Sequence, residues 1–502
     1  MSRSVKADIL ISYGVQAYVS LIGLVLMPIY LRSLGAEAFG LIGLSITLQA
    51  LVQLLDLGLA PSLSRQMSLY RAGALDGASL RARLRSLEWV LGVVAAIAML
   101  AVALTCSWVA REWLQFEQLA EGEVSSCLLA MMVAACARWL AGIYRAGLAG
   151  LEHQRTVNAS LAAFATLRFV VVVPLLAYLL ISPVGFFAYQ ALIGVCELLW
   201  LAVLLYRHLP RGVSPRLPDT ASLRQILPVA GAMAFMSAVW VAITQTDRIV
   251  LSRTLSLEAF GYYSIAILAA GSVMMLVPTL HQVLQPRMTI LVAQARHDDL
   301  LRLYGMATQI CTVALSALGG GLALFAEPVL WAWTGNPTVT TTAAAILFWY
   351  ALANAVIALL VLPFMLQFAH GYLRLHMLGN VVLLVTLIPG LVSAALHFGA
   401  QGTGIVLLSA HVLFLLFWVP LVHRKLMPEF TWRWLLGDVL PACVATLLVL
   451  LLAAALSPVA PTRLEAGMSA GVAISLSIVA GAAAGHRTRE LIVGAFFRKG
   501  SV

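Results

Sequence analysis

The chain is written in long apolar stretches interrupted by short polar ones. Runs of about 18 to 25 apolar residues recur along it, the length a helix needs to cross roughly 30 Å of hydrocarbon. The period-two alternation of a transmembrane barrel is absent from the sequence. The pattern predicts about fourteen membrane helices, near 9–31, 39–64, 87–110, 124–148, 157–181, 185–206, 226–250, 260–285, 303–326, 342–368, 375–397, 402–423, 434–457 and 467–485. The first run follows MSRSVKAD but carries Ser12, Tyr13 and Gln16 and is followed by many more spans, so it reads as a retained helix rather than a cleaved signal.

Composition agrees with an all-α integral membrane protein: 62% of the 502 residues are hydrophobic and only 10% are charged. The net charge of +10 would suggest nucleic acid if it were clustered on one face, but the Lys and Arg sit in the connections between spans. The second connection (Arg65, Arg71, Arg81, Arg83, Arg85), the sixth (Arg207, Arg211, Arg216, Arg224) and the twelfth (Arg424, Lys425, Arg433) are basic and are expected in the cytoplasm. The third, with Glu112, Glu117, Glu121 and Glu123, and the ninth, with Glu327, Trp331 and Trp333, are expected outside. Both termini, carrying Lys6 at one end and Arg487, Arg489, Arg498 and Lys499 at the other, then fall in the cytoplasm.

Cys106, Cys127, Cys136, Cys196, Cys311 and Cys443 show no metal-ligand or redox spacing, and a Cys106–Cys127 disulfide is the minority reading. No connection exceeds roughly twenty residues, which leaves no room for a soluble catalytic domain, and no enzyme activity is expected.

One stretch occurs twice. LRSLGAEAFG (31–40) returns as SRTLSLEAFG (252–261), and each copy joins two spans on the expected outer side. The halves are therefore expected to be parallel: an N-lobe at 1–220, a C-lobe at 221–430, and two extra helices with a cytoplasmic tail at 431–502. Each copy reads as a tight hairpin. Arg32 and Arg253 close one helix, Gly35 and Ser256 cap the next, and Glu37 and Glu258 lie in its first turn, with gating as the minority role.

The opening ISYG, Pro28, LRSLGAEAFG, LLDLGLAPSLSRQ (54–66) and TQTDRIVLSRTLSLEAFGYYS (244–264) resemble the Wzx-type oligosaccharide flippases, in the polysaccharide-exporter branch of the multidrug/oligosaccharidyl-lipid/polysaccharide superfamily. The resemblance implies two six-helix lobes around a cavity that opens alternately to each face of the bacterial inner membrane. Its cargo would be a polyprenyl-pyrophosphate-linked glycan for lipopolysaccharide, O-antigen or exopolysaccharide, with membrane lipids, a polysaccharide polymerase and glycosyltransferases as partners and no nucleic acid. A lipid II flippase of peptidoglycan synthesis and a multidrug or cation antiporter of the same superfamily are the alternatives.

A flippase breaks no bond but must shelter a charged head group, so it needs cations, a polar cavity and a way in for the lipid tail. Arg168 falls near mid-membrane and is the leading head-group candidate, with an ion pair to Glu197 as the structural alternative. Arg138 and Arg145, seven apart on one helix face, come next, followed by Arg65 and Arg287, which close the second and eighth spans. Taken as straight helices, these spans carry polar stripes: Ser45, Gln49, Gln53, Asp56 and Ser64 in one, Ser264, His281, Gln282 and Gln285 in the other. Asp56, Glu197, His281, Asp247 and Arg248 are the coupling or gate candidates. No cofactor or metal is expected, and coupling to H+ or Na+ stays open. Pro28, Pro174, Pro278, Pro363 and Pro389 are expected to bend their helices.

Overall fold

The computed structural model describes residues 3–56, 58–178, 182–209, 220–428, 430–457 and 462–490, with side chains from residue 11 onward except those at 78, 79 and 220–236. The expected tail with Arg498 and Lys499, the loop residues Arg211 and Arg216, and the side chains of Lys6 and Arg224 lie outside the described residues. Every element of the described chain is helical, and it falls into two compact units, Met1–Gly261 and Tyr262–Val502.

The first unit holds α1 (Arg3–Leu34), α2 (Ala36–Gln53), α3 (Leu59–Arg71), α4 (Gly77–Trp108), α5 (Glu121–Gly150), α6 (Gln154–Ala165), α7 (Val172–Tyr178), α8 (Pro183–His208), α9 (Thr220–Thr254) and the start of α10 (Leu257–Gly271). The second continues with α11 (Val277–Ala293), α12 (His297–Leu324), α13 (Ala326–Thr334), α14 (Pro337–Ala369), α15 (Leu373–Leu413), α16 (Val419–Leu426), α17 (Thr431–Arg433), α18 (Leu440–Leu456) and α19 (Arg463–Ala484). Large apolar side chains such as Ile97, Leu100 and Leu104 on α4 point outward, as they do when the solvent is lipid.

Among the described residues twelve helices are long and apolar enough to cross a membrane, against the fourteen expected. Two causes account for the difference. Residues 373–426 form one run of 54 residues, about 80 Å of helix and far more than one bilayer. Its backbone leaves helical geometry at Gly399 (φ 60°, ψ −149°), between the two spans expected there. The span expected at 226–250 lies in α9, where part of the side chains is not described.

The polar stripes assumed straight helices, and that assumption fails in both. The second span stops at Gln53, makes one 3-10 turn over Leu54–Asp56, and restarts at Leu59 beyond Gly58, whose φ of 73° suits glycine. The eighth breaks likewise over Ser272–Leu276 and restarts as α11. Proline is the main cause of such breaks. Pro174, Pro278, Pro420 and Pro441 stand two or three residues beyond the irregular turns 166–171, 272–276, 414–418 and 434–439. Each removes the N–H that would have bonded the carbonyl four residues back. At Pro441 the replacement is visible: the carbonyl of Gly437 accepts from Nε2 of Gln309 at 3.4 Å.

The two copies of the repeated stretch touch each other. Gly40 of the first copy lies on the backbone of Leu257 in the second, close enough that a Cβ there would overlap the Leu257 carbonyl oxygen. Gly261 of the second lies on the first, where a Cβ would stand 2.5 Å from the carbonyl oxygen of Ala36. Ala36 and Leu257 hold the same place in the repeat, so the contact has pseudo-two-fold symmetry and needs glycine at both ends.

The third connection straps both copies. The buried Glu37 carboxylate accepts from the N–H groups of Glu117, Gln118 and Leu119 at 2.7 to 3.1 Å. Gln115 accepts from the N–H of Leu257 at 2.6 Å and donates to the carbonyl of Arg253 at 3.1 Å. Trp113 donates to Oγ of Ser252 at 3.1 Å, and the Arg253 guanidinium lies 5.1 Å from the centre of its ring.

In the second unit a buried aromatic cluster ties α12 to α16 and the segment after α17. Tyr304 meets His423 at 2.9 Å, and Trp434 donates to Thr308 at 2.8 Å. Arg487, beyond α19, pairs with the buried Asp438 at 2.7 Å. All six cysteines are free.

Candidate functional site

The site forms in the first unit where α2, α5, α8 and the turn after α6 come together. Gly194 of α8 packs against α5, where an added Cβ would stand in ordinary contact, 3.5 Å from the Ala134 carbonyl oxygen and the Ala137 methyl, and Glu197 lies about one turn further on, opposite the arginines of α5. Arg138 and Arg145 stand two turns apart on α5 and share a face. From the other side comes Arg168, in the π-helical turn Thr166–Val171 that precedes Pro174.

That turn presents carbonyls that side chains then satisfy. Tyr189 donates to the carbonyl of Leu167 at 2.7 Å, Gln190 to that of Arg168 at 3.2 Å, and Tyr30 to that of Phe169 at 2.6 Å. An irregular turn fixed by three neighbours is a rigid mount for the arginine it carries.

The residues enclose a cavity of about 200 Å³ lined by Gln49 and Gln53 of α2, Arg138, Trp139 and Arg145 of α5, Arg168, and Glu197 of α8. Glu197, 3% exposed at its side chain, divides its carboxylate: Oε1 accepts from Arg145 at 2.6 Å and Oε2 from Arg168 at 2.7 Å. Arg138 donates to the neutral Oε1 of Gln49. Three guanidiniums against one carboxylate leave a net positive cavity. Nε of Arg168 and Nε1 of Trp139, on two of its lining residues, are buried without a partner. A buried donor without an acceptor costs about 1–3 kcal/mol.

The structure therefore joins six of the residues singled out in the sequence, Gln49, Gln53, Arg138, Arg145, Arg168 and Glu197, in one place. The ion-pair and head-group readings of Arg168 are compatible, because the pair leaves its Nε unspent. Asp56 does not line this cavity. In the break of the second span its carboxylate accepts from the N–H groups of Gly58 and Ala60, where it supports the start of α3. Arg65 was expected to close the second span but lies inside α3, exposed and outside the cavity lining. Asp247, buried on α9, and the half-buried Arg248 do not line it either.

In the second unit, His281 stacks on Phe364 with ring centres 6.3 Å apart, and Gln282 is exposed. Gln285 is buried and donates to the Met365 carbonyl at 3.3 Å. Arg287 was expected to end the eighth span, but that helix runs on to Ala293 and leaves Arg287 exposed along it. Among the described residues no cluster of His, Cys, Asp or Glu could hold a metal ion.

Trp139, Tyr30, Tyr189 and Gln190 escaped the sequence reading. Proline at 174 was the available signal for the turn that Tyr30, Tyr189 and Gln190 brace.

A family model described as "Polysaccharide biosynthesis protein" matches residues 5–292. No curated protein matches the sequence. Among solved structures, the chain is similar to a lipid II flippase, MurJ, in an inward closed conformation (TM-score 0.71, 12% identity, 96% of this chain and 100% of that one). It is also similar to a multidrug resistance MATE family transporter of the MOP superfamily in an inward-facing conformation (TM-score 0.66, 13% identity, 83% and 99%). A third is the MATE multidrug transporter DinF-BH (TM-score 0.59, 15% identity, 84% and 95%). At these identities the likeness is one of fold.

Proposed function

Since the chain belongs to the polysaccharide biosynthesis protein family, we propose that it is a flippase carrying a polyprenyl-pyrophosphate-linked oligosaccharide from the cytoplasmic to the periplasmic leaflet of a bacterial inner membrane, for assembly of a surface polysaccharide. The observation that carries this reading is the cavity's chemistry: three arginines around one glutamate, with Nε of Arg168 and Nε1 of Trp139 buried and unpaired. A diphosphate diester brings about two negative charges and only acceptor atoms, and guanidinium is the side chain best matched to phosphate oxygens.

The rest of the reading belongs to the same proposal. Two parallel lobes alternate, both termini stay in the cytoplasm, and the glycine contact between the hairpins closes the outer face while the head group enters from within. Gly40 and Gln49 lie on one helix, so a movement at the crossing is carried about 14 Å along α2 to the cavity. Lipid II carries the same diphosphate, whereas a cationic drug meets the wrong sign of charge here. The acids among the candidates leave proton or Na+ coupling as part of the proposal, with no other cofactor. Glycosyltransferases and a polymerase are the partners such a cargo needs.

A strain lacking the protein is expected to accumulate its lipid-linked glycan in the inner leaflet. That would be read by whether an enzyme added from outside can reach the glycan in intact spheroplasts; full access in the deletion strain would refute the reading. Trp139→Phe, which deletes one unspent donor and leaves a smaller aromatic ring, is expected to slow translocation about 3- to 10-fold per folded protein. Unchanged transport would remove Trp139 from the site.

A further inference from the structure

The division of labour among the three arginines is uneven. Arg168 is 9% exposed at its side chain and Arg145 34%, yet both hold the same carboxylate. Arg138 holds only a neutral amide. Glu197 is thus spread over two cations, one sealed and one within reach of an arriving ligand.

From this geometry we infer that Glu197 is a resident anion which the diphosphate head group displaces from Arg145, making it the residue that sets how tightly cargo is held and how readily it leaves. The inference rests on the function proposed above. An incoming diphosphate first meets Arg138, whose amide partner carries no charge to compete. It then takes Arg145 in place of Oε1 of Glu197, while the Arg168 pair keeps the carboxylate compensated so that no buried charge is stranded. When the head group leaves, Oε1 returns to Arg145, and this return offsets much of the cost of giving up the phosphate. A site of bare arginines would bind the same head group more tightly and release it slowly. The charged groups facing Glu197 across the cavity are Arg138 and Arg145 from α5 and Arg168 from the π-helical turn, while α2 contributes only the amides of Gln49 and Gln53.

The two roles open to Glu197 predict opposite signs. If it only holds the arginines in place, Glu197→Gln loosens the site and binding weakens. If it is the resident anion, Glu197→Gln removes the competitor, and affinity for a polyprenyl diphosphate rises roughly 10- to 100-fold, the worth of one charge-assisted contact. Turnover in proteoliposomes falls at the same time.

Glu197→Asp serves as the second variant in case the glutamine form does not fold. Its carboxylate stays beside Arg168 but is one methylene too short to bridge both cations, so affinity rises by a smaller factor. The measurement is equilibrium binding of a fluorescent polyprenyl diphosphate to the full-length protein in nanodiscs, paired with transport in vesicles. Tighter binding with slower turnover in either variant supports the inference. Binding that is weaker or unchanged in the folded variants overturns it. If the wild-type protein binds no polyprenyl diphosphate at all, the failure lies with the proposed function instead.

Discussion

Replacing Arg168 by alanine is expected to lower transport of a lipid-linked oligosaccharide roughly 100-fold, close to 3 kcal/mol at 1.4 kcal/mol per decade. The substitution takes away a cation, the unspent Nε donor and the sealed partner of Glu197 together. Removing one member of a buried pair ordinarily costs about 3–5 kcal/mol of stability. Here Arg145 still holds the other carboxylate oxygen, so the folded protein is expected to survive with a lowered melting temperature. Arg168→Lys keeps the charge but loses the planar fork and should fall between the two. The readout is translocation per folded protein in vesicles, and wild-type transport by Arg168→Ala would end its assignment to the site.

The second large effect is expected at the hairpin crossing. Gly40→Val and Gly261→Val each drive a side chain into a backbone carbonyl that cannot give way, so the cost should reach or exceed the roughly 1–3 kcal/mol of an overpacked core. Each variant should melt earlier and, in the proposed cycle, keep the crossing from closing. With Leu41→Cys added, at a fully buried position, the new thiol should then react with a membrane-impermeant reagent. Gly92→Ala is the control, since nothing lies within 4 Å of the added methyl and alanine favours the helix. If either valine variant melts and transports like the wild type, the crossing does not shape the cycle.

The spans were legible because hydrocarbon imposes one length and one composition on every crossing helix. Arg168 and Glu197 were legible as a pair because two charges at matching depth must compensate each other. That Arg145 shares the same carboxylate was not legible, since it depends on how α8 packs against α5 in three dimensions. Trp139 was hidden for a related reason: a tryptophan in an apolar run looks like packing until its N–H is found without an acceptor.

The polar stripes failed at a definite point. Gln49 and Gln53 precede the turn at Leu54–Asp56 and reach the cavity, whereas Asp56, in that turn, and Ser64, beyond it, do not line it. Gly58 with Pro61, and Pro278 in the other copy, were the marks of those breaks. The repeat itself was plain in the sequence. That its two copies are each other's contact surface requires three dimensions, and so does the strap from Trp113 to Leu119 that binds both.

Whether the cavity receives a diphosphate can be decided in one proteoliposome preparation. Translocation of a polyprenyl-diphosphate-linked oligosaccharide is compared there with efflux of a cationic dye, for the wild type and an Arg138→Ala, Arg145→Ala double variant. The wild type is expected to move the diphosphate lipid and not the dye. The double variant is expected to lose lipid translocation by about 100-fold or more, the combined worth of two charge-assisted contacts. Dye efflux without lipid translocation, or lipid translocation untouched by loss of both arginines, would show that the cavity serves some other cargo.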